Sequence, residues 1–201
     1  MSNEAQKQAI DFRIFYELEP YLFDTVSRRF AEEGMLNAEN FFCIVIWKAN
    51  RSKSKIARRL MLSGRYAHLE AAVRALTSEI AKASSSKDRL RILIKGWGFR
   101  LPMASAIATV LYPSDFTVYD VRVCDMLGDF HGLTRIINYD RLWDGYARYL
   151  AAVQHAAPGD LSLRDKDRWL WGKSFPDELL QDIADGFAHA KPDPEFDAIE
   201  S

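Results

Sequence analysis

At 201 residues, with 48% hydrophobic and 27% charged residues, the chain has the composition of a folded protein with a sizeable core, not of a disordered one. Its two cysteines, Cys43 and Cys124, are too few for a disulfide framework or a four-cysteine iron–sulfur cluster, and it lacks the run of about 18 apolar residues that a membrane span needs. The net charge of −1 conceals an asymmetry: residues 48–100 hold fourteen lysines and arginines against three acids, a local +11 that leaves −12 on the rest. Such a split points either to a polyanionic partner for one face or to two parts of the chain that neutralise each other.

Taken in order, nearly every segment has helical spacing. The first residues, MSNEAQKQAIDF, carry no apolar signal core, so a cytoplasmic location is expected. Residues 21–33 place Leu22, Val26 and Phe30 on one stripe and stop at Gly34. Asn37 is the predicted cap of NAENFFCIVIWKAN, apolar nearly all round and therefore expected to be the central buried helix. A polar, basic connection at residues 50–54 leads to the amphipathic KIARRL, and a further helix covers 68–83. Ser86 is expected to cap KDRLRILIKGWG, with Leu90, Leu93 and Ile94 inward and Lys87, Arg89, Arg91 and Lys95 outward.

Met103, Ile107, Val110 and Leu111 mark the next helix, and Tyr119, Val123, Met126 and Leu127 another that stops at Gly128. Asn138 to Ala157 reads as a long aromatic-rich helix. Ser162 and Asp165 form a capping box that opens RWLWGKSF, and residues 176–190 form a last helix. The predicted fold is all-α, one helical domain over 1–190 with an acidic, proline-broken tail at 191–201.

Chemistry concentrates between Lys95 and Gly128. In Lys95-Gly96-Trp97-Gly98-Phe99 the two glycines let backbone N–H groups approach an anion, and the following helix adds the positive end of its dipole. Lys95 and Arg100 flank that turn. A glycine pair alone fits an ordinary helix corner better than an anion site. Asp120 stands at the mouth of the next helix, where a carboxylate either interacts with the dipole or does chemistry. The histidines at 68, 131, 155 and 189 have no metal-ligand spacing, and no metal or cofactor is expected.

Helix, Gly-x-Gly hairpin, alanine-containing helix, then Val118-Tyr119-Asp120-Val121-Arg122-Val123 and a Leu127-Gly128 ending: this order resembles the helix-hairpin-helix DNA glycosylase superfamily, which includes the endonuclease III, adenine glycosylase and oxoguanine glycosylase enzymes. FFCIVIWKANRSK resembles the family's buried helix and the loop that inserts residues into the duplex, and RDKDRWLWGKSF resembles the C-terminal segment of oxoguanine-glycosylase-like members. The resemblance implies an all-α fold of two helical halves around a cleft, double-stranded DNA as partner, and a hairpin (Lys95, Gly96, Trp97, Gly98, Arg100) on its backbone. It also implies catalysis by Asp120, whose carboxylate would stabilise the oxocarbenium-like sugar and activate water.

Bifunctional members carry a nucleophilic lysine early in the helix after the hairpin. Pro102 stands there in this chain, so the resemblance implies a monofunctional enzyme or a binding module without chemistry. Lys48, Asn50 and Arg51 are candidate duplex contacts or an ordinary helix end. Trp169 and Trp171 are candidate base-stacking residues or core. An adaptor whose basic face meets an acidic protein is the reading from a different class.

Overall fold

Helical spacing in the sequence is realised as helix throughout. The structure, a computed structural model, describes residue 13 and residues 16–186, and the tail at 191–201 lies outside them. Among the described residues all regular structure is helical, and no helix is long and apolar enough to cross a membrane. Nine helical runs follow one another: α1 (residues 18–33), α2 (Ala38–Ala49), α3 (Lys53–Met61), α4 (Leu69–Lys82), α5 (residues 86–96), α6 (Leu101–Leu111), α7 (Val121–Leu127), α8 (Tyr139–Ala156) and α9 (Leu163–Ala184). Short 3-10 turns at Asn50–Ser52 and His131–Arg135 link α2 to α3 and lead into α8.

Local signals set the helix ends. The side chains of Asn37, Asn138 and Ser162 accept the N–H groups of Asn40, Arg141 and Asp165, and Gly34 and Gly128 close α1 and α7 in the left-handed conformation. Two expectations are corrected. Ser85, not Ser86, caps α5, accepting from the N–H of Asp88 at 3.1 Å. The two helices expected after Ser162 are one, α9, with Pro176 inside it. Proline there removes the bond to the carbonyl of Gly172, an exposed residue.

The centre of the core is α6, where every residue except Pro102 is buried. This corrects the expectation that α2 is the most enclosed helix. Its Phe41, Cys43, Ile44 and Val45 are buried, but Trp47 and Lys48 are only partly covered because they face an open cavity. α2 packs against α6, α4 and α3, and α9 packs against α7 and α8.

Between α6 and α7 the chain runs without regular structure through Phe116, Thr117, Val118 and Tyr119, all buried. Buried backbone must find partners, and here side chains supply them. Tyr146 donates its hydroxyl to the Thr117 carbonyl at 2.5 Å, Tyr149 donates to the Val118 carbonyl at 2.9 Å, and the Tyr119 N–H donates to Ser105 Oγ at 2.8 Å. Three anchors on α6 and α8 therefore fix the four residues that deliver Asp120.

Tyr149→Phe keeps the packed ring and orphans a buried carbonyl. It should lower stability by about 1–2 kcal/mol in urea unfolding; an unchanged midpoint would show that the hydroxyl does not hold this segment.

Candidate active site

Asp120 caps α7, with Oδ1 accepting the N–H of Arg122 at 3.1 Å. Its other oxygen, Oδ2, takes the ammonium of Lys48 at 2.6 Å, and the two side chains are 22% and 17% exposed. A carboxylate and an ammonium this close and mostly withdrawn from water interact more strongly than a surface pair. The pair stands on the wall of an open cavity of about 580 Å³.

The other walls are Trp47 from α2, Glu19 from α1, Val118, and one face of α9: Arg164, Asp167, Arg168 and Trp171. Those four fall at i, i+3, i+4 and i+7, the spacing that puts side chains on a single helical stripe. Arg164 holds the base of the cavity together. It ion-pairs with Asp167, donates to Glu19 at 2.8 Å, and lies 5.2 Å over the rings of Phe23 and Trp47. Trp171 is 43% exposed, covered by Arg122 at 5.3 Å and stacked on Phe175.

Asp167 is 3% exposed. Burial pushes its carboxyl up to about 6 from an ordinary 3.8, against the pull of Arg164 and Lys48, and the charge of Asp120 adds to the rise. Of the three carboxyl groups in the cavity walls, two stand in contrasting settings: Asp120 paired with the Lys48 ammonium, and Asp167 desolvated beside Arg164. Sequence reasoning missed Asp167, Arg164 and Trp47. The available signal was the stripe 164–167–168–171, in which three charges and a tryptophan share one helix face.

The remaining candidates separate by place. Trp169 does not line the cavity; two residues from Trp171, it turns to the far side of α9, where Lys173 lies 5.2 Å over its ring. Asn50 and Arg51 sit on the exposed 3-10 turn, and Asn50 accepts from Lys53 at 3.0 Å. The hairpin contributes none of the described cavity walls.

α5 widens into a π-turn over Ile92–Gly96, and Gly98 takes φ +71°, a value that favours glycine. Trp97 does not point outward: it stacks on Tyr66 at 5.6 Å and donates to Glu79 at 2.9 Å, so its ring anchors the hairpin. Lys95 donates to the Ile137 carbonyl at 2.8 Å. Arg59 of α3 donates to the Gly98 carbonyl, which ties the basic helix to the turn.

The charge asymmetry divides the same way. Lys48, Lys87, Arg89 and Arg91 pair with acids outside the basic stretch: Asp120, Asp140, Asp115 and Asp140. Arg89, expected outward, lies 3.8 Å over the Tyr112 ring. Lys53, Lys55, Arg58, Arg59, Arg65 and Arg100 are exposed and have no acid partner among the described residues, leaving a basic surface that runs from α3 to the hairpin.

Because the folded Asp167 carboxyl titrates above its ordinary value, the folded state binds more protons than the unfolded between about pH 4 and 6. Its contribution to stability therefore falls as pH rises through that window, by on the order of 3 kcal/mol for full ionisation. Asp167→Asn should remove this component from the stability–pH curve measured by urea unfolding; an identical slope in the variant would contradict it.

No protein-family model, no curated protein and no solved structure matches this chain.

Proposed function

We propose that the chain is a DNA base-excision glycosylase of the helix-hairpin-helix kind, two helical halves around a cleft, that hydrolyses the N-glycosidic bond of a base turned out of the duplex. One observation carries this reading: the Asp120 carboxylate, fixed by Lys48 at 2.6 Å, borders an open cavity whose walls include Trp47 and Trp171. A planar base entering the cavity would meet the indoles of Trp47 and Trp171 in its walls, and its polar edge would meet the buried carboxyl of Asp167. The sugar would then lie beside Asp120, whose negative charge stabilises the positive charge that develops at C1′ as the bond breaks. The same carboxylate orients the attacking water. An oxidised purine is the substrate class that the family resemblance favours.

Backbone grip belongs to the hairpin and its neighbours. Gly98 in its left-handed conformation, exposed Arg100 at the start of α6, and the α3 cations joined to the turn through Arg59 form one electropositive surface for phosphates. Lys95 and Gly96 stand on its edge, and Trp97 supports it from within.

Base release from a panel of lesion-bearing duplexes tests the reading. Wild-type protein should release at least one modified base, and Asp120→Asn should release it about 10²–10³-fold more slowly while binding the duplex as well as before. Trp171→Ala should slow release, whereas Trp169→Ala should not. Affinity for plain duplex should fall steeply as salt rises. Salt-dependent binding with no release from the whole panel would leave a DNA-binding module without chemistry, and failure to bind duplex would leave the adaptor.

A further inference from the structure

Hydrolysis of a glycosidic bond leaves an abasic deoxyribose, and its open-chain form carries an aldehyde at C1′. The expectation of a monofunctional enzyme rests on Pro102, which removes a lysine from the start of α6. The fold returns an amine to the carboxylate from another helix. Lys48, on the last turn of α2, has its Nζ 2.6 Å from Asp120 Oδ2 and is the one described lysine that lines the cavity. Lys95 is turned to the Ile137 carbonyl at 2.8 Å, and Lys166 is buried with Nζ on the Gln154 carbonyl, also at 2.8 Å. An aldehyde formed beside Asp120 would therefore meet the Lys48 amine first.

We infer that Lys48 is an imine-forming residue that cuts the strand at the abasic sugar, an inference that rests on the glycosylase reading for the placement of C1′ beside Asp120. Asp120 accepts a proton from the Lys48 ammonium, and the freed lone pair of Nζ adds to the aldehyde carbon. The carbonyl oxygen takes up the proton held by Asp120 and a proton from Nζ, and leaves as water. Net, ammonium and aldehyde give iminium and water, with charge conserved. The iminium acidifies the C2′ proton, which Asp120 removes. The C3′–O bond then breaks with its electron pair going to the phosphate. Water hydrolyses the remaining iminium and restores the lysine, and neither oxidant nor reductant is needed.

The test uses a duplex with a preformed abasic site, so that no base has to be excised. Incubated with the full chain and borohydride, which adds hydride to C1′ of the iminium, this duplex should form a covalent adduct, and peptide mapping by mass spectrometry should find it on Lys48. Without borohydride the strand should be cut at the abasic site. Lys48→Arg keeps a cation facing Asp120 but has no amine able to form the imine. It should lose trapping and cleavage by at least about 100-fold while still unfolding cooperatively and binding the duplex, the loss of trapping far exceeding any change in affinity.

No adduct on bound wild-type protein, an adduct mapped to Lys95 or to the terminal amine, or full trapping by Lys48→Arg would overturn the inference. The two readings fail differently. Base release without a Lys48 adduct sinks the role of Lys48 alone. A Lys48 adduct without base release from any lesion sinks the glycosylase and leaves a lyase acting on abasic sites.

Discussion

The contact between Lys48 and Asp120 is the constraint on which the site depends. It joins residues 72 positions apart, the last turn of α2 and the N-cap of α7, at 2.6 Å. Both partners are largely withdrawn from water, so losing one leaves the other desolvated without compensation. At fully buried pairs that costs about 3–5 kcal/mol, and here somewhat less because part of each side chain is wet. The pair fixes a carboxylate on a cavity wall and keeps an amine within reach of it. It would be useless on a mobile loop. The bonds from Tyr146, Tyr149 and Ser105 to residues 117–119 remove that mobility.

Around this pair the protein builds an uneven electrostatic field. Arg164 balances Asp167 and Glu19 while spanning Phe23 and Trp47, so one guanidinium organises two carboxylates and two rings. Desolvation still wins at Asp167 and raises its carboxyl to about 6. Asp120, paired with an ammonium, and Asp167, buried in the same cavity, have the divergence of environment from which division of chemical roles commonly follows. Away from the cavity, cations without acid partners among the described residues gather on α3 and the hairpin, while Lys87, Arg89 and Arg91 of α5 pair with Asp115 and Asp140. The asymmetry seen in the sequence was thus partly internal pairing and partly an electropositive surface.

What the sequence revealed was local. The caps at Asn37 and Ser162 and the stops at Gly34 and Gly128 are decided within a few residues, and local sequence alone found them. The hairpin glycines and Asp120 were legible for the same reason. The cavity was not, because its walls come from four separated parts of the chain. Lys48 read as a polar helix end, and nothing near it announces a partner 72 residues on. Asp167 read as one more charge on an exposed helix; only the packing of α9 against α7 and α8 desolvates it. Trp97 read as part of a binding turn, yet its ring is spent on Tyr66 and Glu79. Residues 176–190 read as a separate last helix, yet α9 continues through Pro176.

The most direct measurement is a crystal structure of Asp120→Asn, which keeps the size of the side chain and removes its charge, bound to a duplex containing a lesion that the wild type releases, or an abasic analogue if none is found. The account predicts an extrahelical nucleotide with its sugar beside residue 120 and Lys48, any base in the cavity lined by Trp47 and Trp171, and phosphates against Gly98, Arg100 and the α3 cations. A duplex with every base stacked, or one bound on a face away from the cavity, would contradict it.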